Sequence, residues 1–513
     1  MGSGVIVCVL PVKTPSFSFL FPRAVVLCAV IYIAVWTLFP VVLGQSFPLD
    51  VVESLSWGRE WQWGYYKHPP LAPIVLHLFY VVFGRLGPFL LSQLCIAATL
   101  WLVWCTGRRL MDSERAWVGA LLAMGVAYYS YPALEFNHNI AQMPFWAGLG
   151  YCLVLALQGG RWWQWLLLGV VAGLGMLTKY SVGILLLCFG LYIVLTSQRR
   201  VLLQPGPWLA VAALGLVFFP HLLWLQHSDW LPFAYAGMRA QASNSSPRMG
   251  ALTFLLTQMV VHLPLLLIAG VALWLARRSS AAASGGWKLQ TTQPGLLVML
   301  ALGPGLLVVV LGLTTGLRLR DMWGSPMWAF SGLLVAAAVP AAWWPAARPR
   351  LLRGLGVWLC LVTVLAASYV AFGAQWRHKP SRMDWPAQAL AAQAEATWAQ
   401  QSSCRLDVVA GDNWLSGLIA TQSPSWASVL VNGDPRYSPW VTLERLQTHG
   451  ALWVWDADRA DDAPVPPQPL DAVQPGASMH TQEGQWQIAW PHDPQGSPLT
   501  IRWRSYVPAA CAR

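Results

Sequence analysis

The stretch LDVVESLSWGREWQWGYYKHPPL, residues 49 to 71, holds several side chains that could take part in a reaction. Asp50 and Glu53 are carboxylates three positions apart, and Lys67 and His68 follow in the same stretch. A carboxylate within hydrogen-bond reach of a reacting hydroxyl or amine can accept its proton. A lysine held at a fixed position can neutralise the charge of a phosphate. These residue types suit proton transfer beside an anionic group.

The rest of the chain is very apolar. Of its 513 residues, 56% are hydrophobic and only 10% are charged. This composition excludes an ordinary soluble globular protein and is typical of a membrane protein with many spans. The 32 tryptophans agree with this class, because indole rings favour the membrane interface. The net charge of +11 does not indicate a nucleic-acid partner, because the arginines stand singly or in pairs between apolar runs.

The apolar runs predict about eleven transmembrane helices, each long enough to cross roughly 30 Å of hydrocarbon. They begin near residues 24, 88, 116, 140, 164, 181, 208, 251, 294, 326 and 354. With a cytoplasmic N-terminus, the arginines between the spans fall on the cytoplasmic side, as the positive-inside rule requires. No small-residue cleavage site follows the first span, so we expect an uncleaved anchor.

This orientation places residues 45 to 87 in a first loop on the outer face. The outward-facing basic residues outside this loop are few: Lys179, Arg239, Arg248, Arg318 and Arg320. We expect them to gather with the loop residues on one face of the membrane. A basic cluster beside two carboxylates suits a ligand whose phosphate lies at headgroup level and whose reacting end projects outward, such as a lipid-linked phospho-sugar.

A second, more polar domain is predicted from residue 374 to residue 513, after the membrane domain of residues 1 to 373. An odd number of spans places it on the outer side. Helices are expected over 384–401, with Asp384 as N-cap, and over 440–449, ended by Gly450. Strand patterns lie at 405–410, 428–431, 451–456, 486–490 and 499–504. The sequence predicts a small α/β or α+β domain.

Cys404 and Cys511 are the two cysteines of this C-terminal part. An exported compartment permits a disulfide between them. The alternative is two buried thiols, because the sequence does not fix the distance between their Cα atoms.

Several motifs occur in a characteristic order: LDVVESLSWGREWQWGYYKHPPL, EFNHNIAQMPFW, GLGMLTKYSVGILLL, HSDWLPFAYAGMR and RDMWGSPMW. Together they resemble bacterial glycosyltransferase family 39, C-fold enzymes related to the protein O-mannosyltransferases and the lipid A aminoarabinose transferases. The resemblance covers roughly residues 20 to 373. It implies a polytopic domain in the bacterial inner membrane, a polyprenyl-phosphate-linked sugar donor, inversion at the anomeric carbon and a soluble periplasmic domain.

The resemblance also implies a catalytic acid in the first loop. Asp50 matches the acid that begins the family motif, whereas Val51 replaces the acid that usually follows and Glu53 keeps a later one. We expect Asp50 to be the base, with Glu53 as its competitor, because the attacking acceptor must lose a proton. A structural alternative is that Asp50 caps a short helix, with Glu53 at capping-box spacing.

The basic residues of these motifs are implied to bind the donor phosphate. Lys67 resembles the family's loop lysine, although His68 stands between it and the prolines and is the alternative to Lys67 in this role. Lys179 matches the lysine of TKY, with snorkelling to the interface as the alternative. Arg320 is preferred over Arg318 before MWGSPMW, and Arg239 is a further phosphate ligand. His68, His138 and Tyr66 are expected to contact the sugar, although His138 also fits a purely interfacial hydrogen-bonding role.

The sequence contains no glycine-rich phosphate loop before a helix, no HExxH motif and no cysteine pair at zinc spacing. We therefore expect no cofactor and no obligatory metal, although the outer acids could bind a divalent cation. The partners expected are the lipid-linked donor, membrane lipid and a glycolipid, polysaccharide or protein acceptor. The alternative function is a transporter or flippase of lipid-linked sugars; the lack of an internal repeat favours an enzyme.

Overall fold

The structure is a computed structural model that describes residues 23–241, 247–279, 288–316, 319–457 and 479–513. Its first part is a helical bundle. The helices are α1 Arg23–Leu43, α2 Leu49–Gly58, α3 Leu71–Phe83, α4 Gly87–Leu110, α5 Ser113–Leu122, α6 His138–Gly159, α7 Trp162–Thr178, α8 Val182–Leu195, α9 Pro205–His227, α10 Leu231–Gln241, α11 Pro247–Ser279, α12 Pro294–Thr315, α13 Ser331–Ala338 and α14 Trp344–Arg377.

The described residues contain seven helical segments long and apolar enough to cross a membrane, or eight if the bent segment 182–203 is one span. The prediction of a multi-pass membrane protein is confirmed, but the count of about eleven is not. The runs predicted to begin near residues 116 and 326 contain only the short helices α5 and α13. Gly125 and Pro132 interrupt the first of these runs, since proline removes a helix hydrogen bond.

The predicted first loop is largely helical. It contains α2 and α3, and α3 joins α4 in one apolar segment, Leu71–Leu110. The chain turns at Gly84, where φ is 55°, and a Cβ added at Gly87 would lie 2.5 Å from the Phe79 carbonyl oxygen. Helix α4 therefore begins against the last turn of α3. The sequence did not predict α3 because its 13 residues are fewer than the roughly 20 of a span.

The C-terminal part is an α/β domain, as predicted. Its five strands are β1 Val408–Gly411, β2 Ser428–Val431, β3 Ala451–Asp456, β4 Met479–Ile488 and β5 Leu499–Pro508, in the sheet order β2-β1-β3-β5-β4. Strand β1 pairs in parallel with β2 and β3, whereas β5 pairs antiparallel with β3 and β4. The helices are α15 Ala387–Gln401, α16 Asn413–Gln422 and α17 Leu443–His449. Two of them, α16 and α17, connect the parallel strands.

Two helix ends test the sequence predictions. Helix α17 ends before Gly450, whose φ is 74°, as predicted. The prediction of Asp384 as the N-cap of α15 is wrong, because the helix begins at Ala387 and Asp384 instead accepts from the Ser381 N–H at 2.6 Å. Trp385 stays extended with ψ 141°, as expected for a residue that precedes a proline.

Helix α16 was not predicted. Asp412 caps it by accepting from the Trp414 N–H at 2.7 Å and the Leu415 N–H at 3.0 Å. A Cβ added at Gly417 would lie 2.9 Å from Val52 Cγ1 of helix α2. The C-terminal domain therefore packs closely against the first-loop helix that carries Asp50.

Cys404 and Cys511 are joined by a disulfide, with Cα atoms 5.4 Å apart and a sequence separation of 107. In the chain-entropy description, closing a loop of about 100 residues contributes about 4–5 kcal/mol. We expect the double variant Cys404→Ser, Cys511→Ser to unfold at a lower temperature, measured by tryptophan fluorescence of the full chain. Wild-type protein kept in reductant is the matched control and should behave like the variant. Equal unfolding temperatures for all three samples would contradict this prediction.

Candidate active site

Asp50 lies in the first turn of helix α2 and is half-buried. The helix is preceded by Pro48 and has no side-chain cap, so the capping-box alternative for Asp50 and Glu53 is wrong. The Asp50 backbone N–H instead donates to Glu135 Oε1 at 2.8 Å. The start of the first-loop helix is thus held by a carboxylate from the segment before α6.

Asp50 and Glu135 form a pair of neighbouring carboxyl groups. Burial and the Asp50 charge raise the pKa of Glu135 to about 7. Burial also raises the pKa of Asp50, while Lys67, Lys179 and a hydrogen bond from Asn137 oppose that rise. Two close carboxyl groups resist ionising together, so near neutral pH this pair retains a proton part of the time.

Glu53 is the partner of Lys67. Its buried carboxylate forms an ion pair with the Lys67 ammonium and accepts a hydrogen bond from the side chain of Asn413 at the same oxygen, Oε1. Burial raises the pKa of Glu53 and Lys67 opposes this rise. Burial would lower the pKa of Lys67, but Glu53 and neighbouring tyrosines raise it above its usual value. Glu53 therefore holds Lys67 in its charged form.

Aromatic rings surround the Lys67 ammonium. Its Nζ lies 5.1 Å from the centroid of the Tyr66 ring and 5.4 Å from that of Tyr235, within cation–π range. Tyr66 also stacks on Tyr437 of the C-terminal domain, with centroids 4.5 Å apart. Tyr66, predicted to contact sugar, belongs to this aromatic wall.

Lys179 provides a second ammonium beside Asp50. It follows the last residue of helix α7, and its side chain donates to Asn139 Oδ1. Burial lowers the pKa of Lys179 to about 8, although the Asp50 carboxylate opposes this shift. The ammonium is the main form at neutral pH and is lost as the pH rises through about 8.

His68 and His138 face each other, with ring centroids 3.9 Å apart. Burial lowers the pKa of His68 well below its usual value, and His138 and both nearby lysines add to the shift. A neutral imidazole can both donate and accept a hydrogen bond. His138 Nε2 is buried and has no hydrogen-bond partner among the described residues.

Of the three predicted arginines, only Arg320 has a side chain that the structure describes. Arg320 is exposed, and the neighbouring Asp321 carbonyl accepts from Tyr128 Oη at 2.5 Å. Arg318 lies outside the described residues, and so does the side chain of Arg239, whose backbone belongs to α10. The structure therefore brings together Asp50, Lys67 and Lys179 but gives no corresponding contact for Arg320.

Sequence reasoning did not identify all residues of the cluster. Glu135, Asn137 and Asn139 lie in the motif EFNHNI, from which only His138 was selected. Several polar residues stand together in this motif beside an apolar run, and this pattern is the signal that could have identified them. Asn413 was missed with helix α16. Within the described ranges, no group of three or more His, Cys, Asp or Glu side chains is arranged to hold a metal ion.

The chain is similar to known membrane glycosyltransferases. Residues 67–224, less than half of the chain, match the family model described as dolichyl-phosphate-mannose-protein mannosyltransferase. The crystal structure of ArnT from Cupriavidus metallidurans bound to undecaprenyl phosphate matches with a TM-score of 0.60 and 14% identity, over 94% of this chain and 98% of that one. Its apo structure matches with a TM-score of 0.57, the same identity and the same coverage of both chains.

The comparison with curated protein sequences gives no match. The family match and the structural similarity confirm the predicted fold class, the C-fold of membrane glycosyltransferases. They also agree with the predicted enzyme class, a glycosyltransferase. The low sequence identity limits the structural likeness to the fold.

Proposed function

We propose that this protein transfers a sugar from a polyprenyl-phosphate-linked donor to an acceptor and inverts the anomeric carbon. The observation that carries the proposal is the proximity of Asp50 to Lys67 and Lys179. The two lysines come from different segments, and the charge of each opposes the rise in the pKa of Asp50. The carboxylate can deprotonate the attacking nucleophile. The two ammonium groups can neutralise the charge of a phosphate. The similar ArnT binds undecaprenyl phosphate, which supports this class of donor.

In the proposed step, an acceptor hydroxyl or amine attacks the anomeric carbon on the face opposite the phosphate. The bond between that carbon and the phosphate oxygen breaks, and its electron pair stays with the polyprenyl phosphate. Asp50 accepts the proton that the nucleophile loses. Lys67 and Lys179 stabilise the departing phosphate from fixed positions, which requires little reorganisation.

The alternative base, Glu53, is less suitable. Its carboxylate already accepts from Lys67 and Asn413, so taking up a proton would weaken both interactions. The arriving phosphate instead competes with Glu53 for Lys67. We assign Asp50 as the base and Glu53 as the counter-ion that holds Lys67 before the donor binds.

Other groups complete the proposed site. The neutral rings of His68 and His138 are assigned to hydrogen bonds with sugar hydroxyl groups, and Tyr66 to the wall beside the sugar. Arg239, Arg318 and Arg320 remain proposed ligands of the donor phosphate. The site would face the periplasm, with a cytoplasmic N-terminus and a periplasmic domain from residue 374, and would accept a glycolipid, a polysaccharide or a protein.

The donor can be identified by mass spectrometry. Membranes with and without this protein are incubated with extracted polyprenyl-linked sugars, and the loss of each donor is followed together with the appearance of free polyprenyl phosphate. We expect one donor to be consumed only when the protein is present, and its mass identifies the sugar. Redistribution of intact donor between the two leaflets, without consumption, would instead favour the transporter.

Replacing Glu135 by glutamine is expected to leave the acidic limb of the pH–activity profile near its wild-type position. Burial and the Asp50 charge raise the pKa of Glu135 to about 7, so Asp50 ionises while Glu135 still holds its proton, and a neutral glutamine resembles that protonated acid. Glutamine can also still accept from the Asp50 N–H. The measurement is kcat/KM between about pH 5 and pH 8. A shift of the acidic limb by about one unit or more would contradict this order of ionisation.

A further inference from the structure

Asn413 belongs to the C-terminal domain, yet its side chain reaches a carboxylate of the membrane domain. The amide nitrogen donates to Glu53 Oε1, the oxygen that also binds Lys67. An amide beside a carboxylate must present its NH₂ group, because the carboxylate offers only acceptors. The domain therefore supplies a hydrogen-bond donor to the pair that holds Lys67.

The position of Asn413 is fixed by its own helix cap and by the contact of its helix with α2. It is the first residue of helix α16, and Asp412 caps the N–H groups of Trp414 and Leu415. The helix lies against α2, with no room for a side chain larger than glycine at position 417, facing Val52. Asn413 therefore meets Glu53 through a close contact between two helices.

We propose that Asn413 is a positioning residue of the transferase site, which keeps Glu53 oriented as the counter-ion of Lys67. This inference rests on the proposed function, in which Lys67 binds the donor phosphate. Without the amide, Lys67 would be the main partner of a buried carboxylate, and the pair would lose its fixed geometry. The C-terminal domain would then be required for the correct arrangement of the membrane-domain site.

The charges around Glu53 explain why this donor matters. Burial raises the pKa of Glu53 and Asp50 adds to this rise, whereas Lys67 and Tyr66 oppose it, and Glu53 in turn raises the pKa of Glu135. A hydrogen bond donated to the charged form favours ionisation, so loss of the Asn413 amide raises the pKa of Glu53. Glu53 is then protonated at a higher pH, and Lys67 loses its counter-ion as the pH falls. The defect should therefore be greatest on the acidic side.

Three variants separate the hydrogen bond from packing. Asn413→Ala removes both the amide and its volume, Asn413→Leu removes only the donor, and Asn413→Gln keeps an amide. Ser428→Ala is the matched control at the same domain interface, because Ser428 Oγ donates to Glu60 Oε1 at 2.8 Å and is not part of the Glu53 cluster. All four are made in the full-length protein, with equal amounts and unfolding temperatures verified.

Two readouts are used. The first is kcat/KM for release of polyprenyl phosphate as a function of pH. The second is the rate at which an amine-acylating reagent labels Lys67, measured by peptide mass spectrometry without donor, so this readout does not depend on turnover. For the alanine and leucine variants we expect about tenfold lower kcat/KM near pH 6, with a smaller loss near pH 8. We also expect severalfold faster labelling of Lys67, with the glutamine variant closer to wild type and Ser428→Ala unchanged.

Wild-type labelling rates in the alanine and leucine variants would overturn the inference. Equal effects of Asn413→Leu, Asn413→Gln and Ser428→Ala would also overturn it, because they would indicate a general role in docking the domain. If the wild type releases no polyprenyl phosphate from any donor, the proposed function fails. The labelling of Lys67 still decides the role of Asn413 in that case.

Discussion

Asp50→Asn is expected to reduce sugar transfer about 10²- to 10⁴-fold at neutral pH, the usual contribution of general acid–base catalysis. Asparagine has nearly the shape of aspartate but cannot accept the proton of the attacking group. Asp50 contributes only its backbone N–H to the bond with Glu135, so the change leaves that contact in place. The measurement is the initial rate of polyprenyl phosphate release by purified full-length protein.

Glu60→Gln is the matched control for this variant. Glu60 is also a carboxylate of the first loop, but its partner is Ser428 and it has no role in the proposed step. The control should keep a rate within about twofold of wild type, because glutamine can still accept from Ser428 Oγ and position 60 takes no part in the proposed proton transfer. Full activity of Asp50→Asn together with inactivity of Glu53→Gln would transfer the role of base to Glu53.

Lys67→Ala is the second large effect expected. Removing a donor that stabilises transition-state charge typically costs about 10²- to 10³-fold in kcat, and Lys67 is assigned to the departing phosphate. The substitution also removes the partner of Glu53, whose side chain is only 9% exposed. Breaking a buried ion pair at one side costs about 3–5 kcal/mol, so the thermal stability of the protein should fall as well.

A double variant separates these two consequences. Lys67→Met combined with Glu53→Gln removes both charges and should recover much of the lost unfolding temperature, because no buried charge is left without a partner. Transfer should remain low, since the phosphate still lacks the Lys67 ammonium. Lys288→Ala, a change at an exposed lysine, provides the control for loss of a positive charge elsewhere. Recovery of transfer in the double variant would contradict the assignment of Lys67.

Much of the architecture could be predicted from local patterns. The apolar runs predicted a polytopic helical domain, and the strand patterns anticipated the sheet that β1 to β5 form. Helix α3 was not found because its 13 residues are fewer than a span requires, and hydropathy carries no information on the turn at Gly84. Helix α5 ends at Leu122 and the chain continues as a short 3-10 helix, Ala123–Gly125, a change that hydropathy also does not record.

The site was predictable in its residue types and less so in its pairings. Basic residues on the predicted outer face are exceptions to the positive-inside rule. These exceptions led to the selection of Lys67 and Lys179, together with Asp50 in the same first loop as Lys67. The contact between Glu53 and Lys67 bridges 14 positions, and that between Glu53 and Asn413 bridges 360. Such contacts depend on tertiary packing, which no local spacing records.

The most direct test of the central claim is the stoichiometry of the reaction. Purified wild-type protein in sealed vesicles receives a polyprenyl-phosphate-linked donor and an acceptor-containing lipid or protein extract. Free polyprenyl phosphate and transferred sugar are quantified together by mass spectrometry. We predict that the two appear in equal amounts and that neither appears with Asp50→Asn. Movement of intact donor across the bilayer, with no polyprenyl phosphate released, would contradict transfer and identify the protein as a transporter.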